Sequence, residues 1–324
     1  MIARILVFRG GALGDFLVTL PALRLLRTRW PEAKIELVGN AGAAGLGVQC
    51  GCLDAAHSQH EARWSALFAP APLPPALTAW LGGFDLILNY WPDPDRILAG
   101  RFPVRNGQIY LAGSAAPMIA PAARHFCEPL GALGLVTDDF RSRLPCPSKL
   151  NGADLRGPES ETDAPGAENP GAPPSHPGPQ QAPIAIHPGS GSAAKNWPDE
   201  RWRELVARLD TPVLLVLGEA ELGRWNSQAL AELAALCRHG MKVADSLPLP
   251  ALAAALRRCR LFLGHDSGVS HLAAAVGRPC VLLFGPTDPA MWAPPGPHVR
   301  VIRRGATLES ISVEDVLKAC AVSM

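Results

Sequence analysis

Charge of either sign is scarce in this sequence, and so are long uncharged apolar runs. Charged residues make up 18% of the 324 residues, and the formal net charge is +1. A chain this close to neutral lacks the broad basic surface with which proteins bind nucleic acids. No uncharged segment approaches the ~20 apolar residues that a membrane-spanning helix needs. We therefore expect no nucleic-acid partner and no transmembrane segment.

Closely spaced cysteines are also scarce. Among the eight cysteines only Cys50 and Cys52 are near neighbours, and Cys-Gly-Cys lacks the two-residue gap of zinc and thioredoxin sites. No second pair or histidine cluster accompanies them, which favours scattered thiols in a reducing compartment. Residues 10–15 (GGALGD) interrupt the apolar N-terminal stretch, and no clean small-residue cleavage site follows it. The sequence predicts a soluble cytoplasmic protein.

One segment, Asn151 to Ala182, has little that could pack. Seven prolines and five glycines fall there, and Leu155 is its only large aliphatic residue. Such a stretch cannot bury enough apolar surface to offset the entropy of ordering it. We predict a flexible linker that divides the chain. With 48% hydrophobic residues, the chain is long enough to build a core on each side of it.

Both sides alternate short apolar strands with helices. The predicted strands are Arg4–Phe8, Lys34–Val38, Phe84–Asn89, Ile184–His187, Val213–Leu217, Leu261–Gly264 and Val281–Phe284. The predicted helices are Asp15–Trp30 (kinked or restarted at Pro21), Asp199–Leu209, Ser227–His239, Leu249–Arg257, Gly268–Ala275 and Ser312–Ala321. This pattern predicts an α/β fold of two Rossmann-like domains, whose parallel sheets face a cleft. Ligands of such sheets lie beyond the carboxyl ends of the strands.

The loop GGALGD, Gly10 to Asp15, follows the first strand. A dinucleotide site would need G-x-G-x-x-G and an acidic residue at the end of the second strand, which instead ends in Gly39-Asn40. Asp15 also puts a negative charge where a phosphate would lie. On the residues alone, the simpler interpretation is that Asp15 caps the helix, favoured by the helix dipole.

The loop HPGSGSAAKNWP, His187 to Pro198, follows a strand of the second half. Its glycines, Ser190 and Ser192 offer backbone N–H groups and hydroxyls to an anion, and Lys195 adds a positive charge. The alternative is an ordinary strand–helix turn with a solvated lysine.

The loop FLGHDSGVSHLAAAVGRP begins at Phe262 and opens an alanine-rich helix. Its helix start, Asp266-Ser267-Gly268, offers unpaired N–H groups to a phosphate. His271 in the first turn would add a donor, although a lone helical histidine is more often structural. Asp266 either accepts from a sugar hydroxyl or caps the helix.

Together these loops closely resemble glycosyltransferase family 9, the ADP-heptose:lipopolysaccharide heptosyltransferases. The similarity lies in RGGALGDFLVTLPALRLLR, HPGSGSAAKNWP and GHDSGVSHLAAAVGRPCVLLFGPTDPAMWAP, which occur in the family's order and spacing. It implies a GT-B fold with an acceptor domain over 1–150, the linker over 151–182, and a nucleotide-sugar domain over 183–308. It also implies that the helix in 309–324 crosses back to the first domain.

The resemblance implies inverting, metal-independent transfer of a sugar, heptose from ADP-heptose, to a lipopolysaccharide-core or related glycan acceptor, with no cofactor. A glycolipid acceptor at the inner membrane surface would make the protein peripheral to that membrane. Asp15 would be the general base, and Lys195 would act on the departing phosphates. The remaining implied donor-binding positions are Ser190, Ser192, Glu219 or Glu221, Asp266, Ser267, Gly268 and His271. The implied acceptor-side loop contains Gly10, Gly11 and Gly14.

Two other loops carry weaker signals. Gly285-Pro286-Thr287 would form a rigid rim with Trp292 as an aromatic wall. Residues 91–95 (WPDPD) resemble the metal-binding Asp-x-Asp of another glycosyltransferase class, but the two prolines and Trp91 favour an acceptor-side loop. No metal site is predicted.

Three alternative functions stay open: an NAD-dependent oxidoreductase, a sugar-nucleotide epimerase of the same form, and a non-catalytic binding paralogue.

Overall fold

The computed structural model describes residues 2–145 and 182–323. The predicted linker over 151–182 therefore lies outside the described residues, apart from Ala182. The described chain forms two parallel sheets, which confirms the predicted α/β class. No helix in these two ranges is both long and apolar enough to cross a bilayer.

The first sheet has the strand order β3-β2-β1-β4-β5. Its strands are β1 Arg4–Arg9, β2 Lys34–Gly39, β3 Ala55–Ser58, β4 Leu86–Asn89 and β5 Ile109–Ala112. The chain leaves β1 between β2 and β4, so the loop after β1 lies at the point where the strand order reverses. Ligands of open α/β sheets bind at such points.

The second sheet has the strand order β11-β10-β9-β6-β7-β8. Its strands are β6 Ile184–Ile186, β7 Val213–Leu217, β8 Met241–Asp245, β9 Leu261–His265, β10 Cys280–Phe284 and β11 Val299–Arg303. The order reverses between β6 and β9, which places the loops after these two strands side by side.

Helices cover both sheets. They are α1 Leu13–Arg29, α2 Ala41–Gln49, α3 Pro75–Gly82, α4 Ala122–His125, α5 Asp199–Arg208, α6 Glu219–Leu222, α7 Ser227–Leu236, α8 Leu249–Arg257, α9 Gly268–Ala275, α10 Pro289–Trp292 and α11 Val313–Ser323. The central strands are buried on both faces, since Ile5 and Val7 of β1 join one apolar cluster while Leu6 and Phe8 join another.

Helix α1 runs through Pro21 without interruption. Proline has no N–H to donate to the carbonyl four residues earlier, which here is that of Leu17. The Ser142 hydroxyl donates to this carbonyl instead, at 2.6 Å. The helix therefore tolerates the proline because a neighbouring segment satisfies the exposed acceptor.

The two domains share one apolar interface. Helices α1 and α2 of the first domain pack against α9 and α8 of the second, and one buried cluster continues across them. Residues 142–145 reinforce this side, because Leu144 N–H donates to the Ala275 carbonyl at 2.9 Å. The predicted cleft therefore separates the domains only beyond this interface.

The C-terminal helix α11 differs from the expectation for 309–324. Its apolar side chains Val313, Val316, Ala319 and Cys320 are buried in the second domain's own cluster. Ion pairs join Glu314 to Arg208 and Asp315 to Arg304 on the same domain. Over its described residues, Val313–Ser323, the helix packs on the second sheet beside α5 rather than on the first domain, because its apolar stripe completes the second core.

Candidate active site

A cavity of about 590 Å³ lies between the carboxyl ends of the two sheets. Residues of the loop after β1 and the start of α1 form one wall. The loops after β6, β7, β9 and β10 form the other. Its size and its position at both strand-order reversals are typical of a small-molecule site.

Asp15 is the third residue of α1 and lines the cavity. Its Oδ2 accepts from the Ala12 N–H at 2.8 Å, which satisfies a donor at the helix start. Its Oδ1 accepts from Arg9 Nη2 at 2.9 Å. The carboxylate is 37% exposed whereas the Arg9 side chain is 4% exposed. Each carboxylate oxygen keeps a further lone pair, so Asp15 is both a helix-start acceptor and a candidate base.

Arg9 holds this carboxylate from behind. Its Nε donates to the Thr19 hydroxyl at 3.1 Å and to the Asp15 carbonyl at 3.2 Å, and its guanidinium lies 4.2 Å from the centre of the Phe126 ring. Burial lowers the pKa of Arg9, and the charge of Asp15 opposes that shift. The buried Arg9 guanidinium therefore depends on the Asp15 carboxylate for a compensating charge.

Glycines let the two helix starts meet. A Cβ at Gly11 would lie 2.2 Å from Asp15 Oδ2, and Gly11 has a φ of +98°, which a side chain would strain. A Cβ at Gly268, the first residue of α9, would lie 3.1 Å from the Gly14 nitrogen. The loop after β1 and the start of α9 are thus in backbone contact.

The start of α9 is capped by Ser267, whose Oγ accepts from the Ser270 N–H. No acidic side chain lies in its first turn, so the N–H groups of Gly268 and Val269 are available to an anion. Lys195 Nζ lies 3.2 Å from Asp266 Oδ2, beside this helix start. Asp266 therefore balances the charge of Lys195 and does not act as the helix cap.

His271 lies in the first turn of α9 and is 5% exposed. Burial lowers its pKa, with Asp266, the Trp292 backbone and Asp15 acting in the opposite direction. Within residues 2–145 and 182–323, Nδ1 of His271 has no hydrogen-bond partner. A neutral imidazole thus lies between the carboxylates of the two domains.

His265, at the end of β9, was not among the predicted site residues. Its Nε2 accepts from the Trp197 N–H at 2.9 Å, and its Nδ1 faces the Gly189 carbonyl at 3.3 Å, which assigns the proton to Nδ1. The ring is fully buried, and burial lowers its pKa to about 3. This neutral histidine fixes both ends of the loop that carries Ser190 and Lys195.

Glu221, and not Glu219, lines the cavity. Glu221 is the third residue of α6, and its Oε2 accepts from the Gly218 N–H at 2.9 Å. Glu219 is exposed and lies outside the cavity wall. A Cβ at Gly189 would lie 2.0 Å from Glu221 Oε1, so glycine is required for the carboxylate to approach the loop.

The other predicted residues divide into two groups. Gly14, Ser190, Asp266, Ser267, Gly268, Thr287 and Trp292 line the cavity with those already described. Ser192 lies in an adjoining cavity of about 290 Å³, and Gly10 and Gly11 do not line the main cavity. In the WPDPD loop, Asp93 accepts from the N–H groups of Leu98 and Ala99, so its carboxylate stabilises the following turn.

Similarity to known proteins agrees with this geometry. Residues 153–319, just over half of the chain, match the model of glycosyltransferase family 9 (heptosyltransferase). Lipopolysaccharide heptosyltransferase 1 of Escherichia coli K12 is 33% identical over 113 residues, 34% of this chain and 34% of the relative. The alignment thus spans about a third of the length of that relative.

Two solved structures share the whole fold. A family 9 glycosyl transferase from Veillonella parvula superposes with a TM-score of 0.71 at 20% identity, covering 99% of this chain and 97% of its own. The E. coli heptosyltransferase WaaC with ADP gives 0.67 at 19% identity, covering 99% and 100%. These neighbours confirm the GT-B fold. The chain belongs to glycosyltransferase family 9.

Proposed function

We propose that this protein is an inverting, metal-independent glycosyltransferase that moves heptose from ADP-heptose to a lipopolysaccharide-core or related glycan. The observation that carries the proposal is the composition of the cavity. A carboxylate of the first domain faces a helix start and a lysine of the second domain. Relatives named lipopolysaccharide heptosyltransferase, and the fold shared with a heptosyltransferase solved with ADP, support the choice of donor and acceptor.

The donor diphosphate would bind at the start of α9. The free N–H groups of Gly268 and Val269 favour an anion there, and Lys195 would turn from Asp266 towards the phosphates. Glu221, at the far side of the same wall, would accept hydrogen bonds from the ribose hydroxyls. The buried network of His265 holds these groups in place before the donor arrives.

The acceptor would approach from the first domain. Asp15 would take the proton of the acceptor hydroxyl while its oxygen attacks the anomeric carbon. The bond from that carbon to the diphosphate breaks, and ADP leaves with the bonding electron pair. Lys195 and the α9 start stabilise the charge that develops on the leaving group. Because the base and the leaving group lie on opposite walls, a single displacement would invert the anomeric centre.

In this mechanism, protein groups would supply the positive charge that stabilises the leaving diphosphate. Lys195 is cationic, and the start of α9 carries the partial positive charge of a helix N-terminus. Their chemistry supports stabilisation of the leaving group without a divalent ion.

The test is a transfer assay with ADP-heptose and a deacylated inner-core oligosaccharide, with and without excess EDTA. We expect equal transfer in both, with one ADP released per heptose transferred. Transfer abolished by EDTA and restored by magnesium would contradict metal independence. A changed sugar nucleotide in the absence of acceptor would identify an epimerase instead.

A further inference from the structure

A shelf of two aromatic rings lies beside the loop after β1. Phe68 is 42% exposed, and its ring stacks on that of Trp91 with centroids 6.3 Å apart and planes 22° apart. Trp91 is itself fixed from below by Phe8, at 4.9 Å between ring centres. We call Phe68 and Trp91 the aromatic shelf. Phe68 presents the apolar face to solvent, whereas Trp91 is only 9% exposed and supports Phe68 from its buried side.

The shelf borders the residues that carry Asp15. A Cβ at Gly10 would lie 3.5 Å from Trp91 Nε1 and 3.2 Å from Gln59 Oε1. The next residue, Gly11, is in contact with the Asp15 carboxylate. Only two glycines, with Cα atoms ~3.8 Å apart, therefore separate the shelf from the candidate base. One bound molecule can reach both.

Polar groups surround the aromatic faces. In the part of the chain that the structure describes, the Trp91 indole N–H donates no hydrogen bond, and its nitrogen is not fully buried. Gln59 is half-buried, and its Oε1 lies beside the same glycine, Gly10, while its Nε2 lies 3.3 Å from His60 Nε2. An aromatic face with a donor and an amide at its edge fits a molecule that has both C–H faces and hydroxyl groups.

We propose that the aromatic shelf is an acceptor subsite that binds the C–H face of a pyranose ring. Aromatic faces carry partial negative charge and attract the positively polarised C–H groups on one side of a sugar. The Trp91 N–H and the Gln59 amide would hydrogen-bond the ring's hydroxyls. This subsite rests on the proposed transfer function, and it assigns the acceptor sugar unit beside the attacking hydroxyl to the first domain.

The same edge of the first sheet carries other exposed apolar side chains, which raises the alternative of a lipid contact. Ile97 is 44% exposed and Met118 is 81% exposed, in the loops after β4 and β5. They lack the neighbouring indole N–H and amide that the shelf has. A lipid contact would depend most on Met118, whereas a sugar subsite depends on Phe68 and Trp91.

The experiment compares Phe68→Ala, Trp91→Phe and Met118→Ala in the full chain. The acceptor is the deacylated inner-core oligosaccharide, and ADP-heptose is saturating. We expect Phe68→Ala to raise the acceptor KM about three- to tenfold, with kcat and the KM for ADP-heptose unchanged. Trp91→Phe keeps a ring but removes the N–H, so it should also raise the acceptor KM. Met118→Ala should behave as wild type.

The matched control is Leu236→Ala, which truncates a side chain of similar exposure (39%) on the second domain and should change no parameter. An unchanged acceptor KM in Phe68→Ala would overturn the subsite. An effect seen only with acylated acceptor in phospholipid vesicles, and shared by Met118→Ala, would overturn it in favour of a lipid contact. Absence of transfer by the wild-type protein would refute the proposed function instead, so the two failures are distinct.

Discussion

Two helix starts meet at the cavity, and they are prepared for opposite charges. Helix α1 carries Asp15 in its first turn, and the carboxylate already satisfies the Ala12 N–H. Helix α9 has Ser267 as its cap and no acid in its first turn. Both follow a buried strand and both need glycine at the contact. The difference shows that a glycine-rich strand–helix loop specifies a close approach, and that one side chain decides which charge it attracts.

Acids at the third helical position recur elsewhere in this protein. Glu221 of α6 and Asp315 of α11 accept from the N–H at the start of their own helices, as Asp15 does. Asp315 also pairs with an arginine, Arg304, at 2.7 Å. Asp15 differs because its arginine is buried and because it lines the cavity. Asp315 is therefore a control for the local role of Asp15 without its position in the site.

The largest expected effect separates the role of Asp15 as a base from its role as an acceptor at the start of α1. Asp15→Asn should lower turnover about 10²–10⁴-fold, because asparagine cannot take the proton of the acceptor hydroxyl. ADP affinity should remain near wild type, since the diphosphate lies on the other wall. Asp315→Asn should leave turnover unchanged. Steady-state transfer and ADP titration check both, and near-normal turnover of Asp15→Asn would return Asp15 to a purely structural role.

The free energy of unfolding should also distinguish Asp15 from Asp315. Asparagine leaves the buried Arg9 guanidinium without its counter-charge, so Asp15→Asn should lose roughly 1–3 kcal/mol of unfolding free energy. Arg304 is 59% exposed, and Asp315→Asn should lose less. Urea unfolding at pH 7 measures both. Equal losses would mean that solvent reaches Arg9.

The next prediction tests whether Lys195 binds the donor diphosphate. Lys195→Ala should weaken ADP binding about 10- to 100-fold, because it removes a charge-assisted contact and leaves Asp266 facing the phosphates. The double variant Lys195→Ala/Asp266→Asn should recover part of that loss. Calorimetric titration with ADP measures the affinities, with Lys318→Ala on α11 as control. Wild-type affinity of Lys195→Ala would show that the lysine is merely solvated.

The third prediction concerns the contact between the helix starts. Gly268→Ala would place a methyl group 3.1 Å from the Gly14 nitrogen and from Leu13 Cβ, so the two walls must move apart. We expect a loss of about 1–3 kcal/mol in stability and a several-fold loss of kcat/KM. At Gly14 the added methyl would have an ordinary contact of 3.6 Å, so Gly14→Ala should be tolerated better. Thermal unfolding and transfer assays of both variants test this order.

The last prediction concerns a pH dependence of stability. His265 stays neutral in the folded protein down to a pKa of about 3, whereas in the unfolded chain it takes up a proton near pH 6.5. The unfolded state therefore binds more protons between these values, and stability falls as the pH is lowered through that window. At pH 5 we expect His265 to lower the free energy of unfolding by about 2 kcal/mol relative to neutral pH.

Urea unfolding at pH 7 and pH 5 measures this loss. His265→Gln should reduce the dependence, although buried His271 and His187 contribute with the same sign, while His60→Gln, which replaces an exposed histidine, should not. A wild-type protein equally stable at both pH values would contradict a buried neutral His265.

The sequence predicted the interior of each sheet and missed its margins. Every central strand was found, because burial on both faces makes a continuous apolar run. Within the described residues, the four strands that were missed are the edge strands β3, β5, β8 and β11. Each is at most partly buried, and β3, β8 and β11 contain polar or charged side chains that interrupt an apolar run. Patterning detects burial, and edge strands have too little of it.

The site was predicted where chemistry is local in the chain. Asp15, Lys195 and the Asp266–His271 turn are close to their own glycine-rich loops, and the cavity unites them. Arg9 and His265 were missed because their roles come from burial and from partners that only the fold brings close. Glu219 and Glu221 could not be told apart, since only the short helix α6 turns one of them inward.

The contact between Gly14 and Gly268 has a mechanical consequence. The two domains touch there through backbone atoms, and the packing of α1 and α2 against α9 and α8 extends the same interface, so we expect any opening or closing of the cleft to turn about this side. Atoms near a pivot move least. Asp15 lies one residue from it and the anion-binding helix start begins at it, whereas the aromatic shelf and Glu221 lie farther along each arm. A turn about this side would let large substrates enter and leave at the rim while the spacing between the groups near the contact changes little.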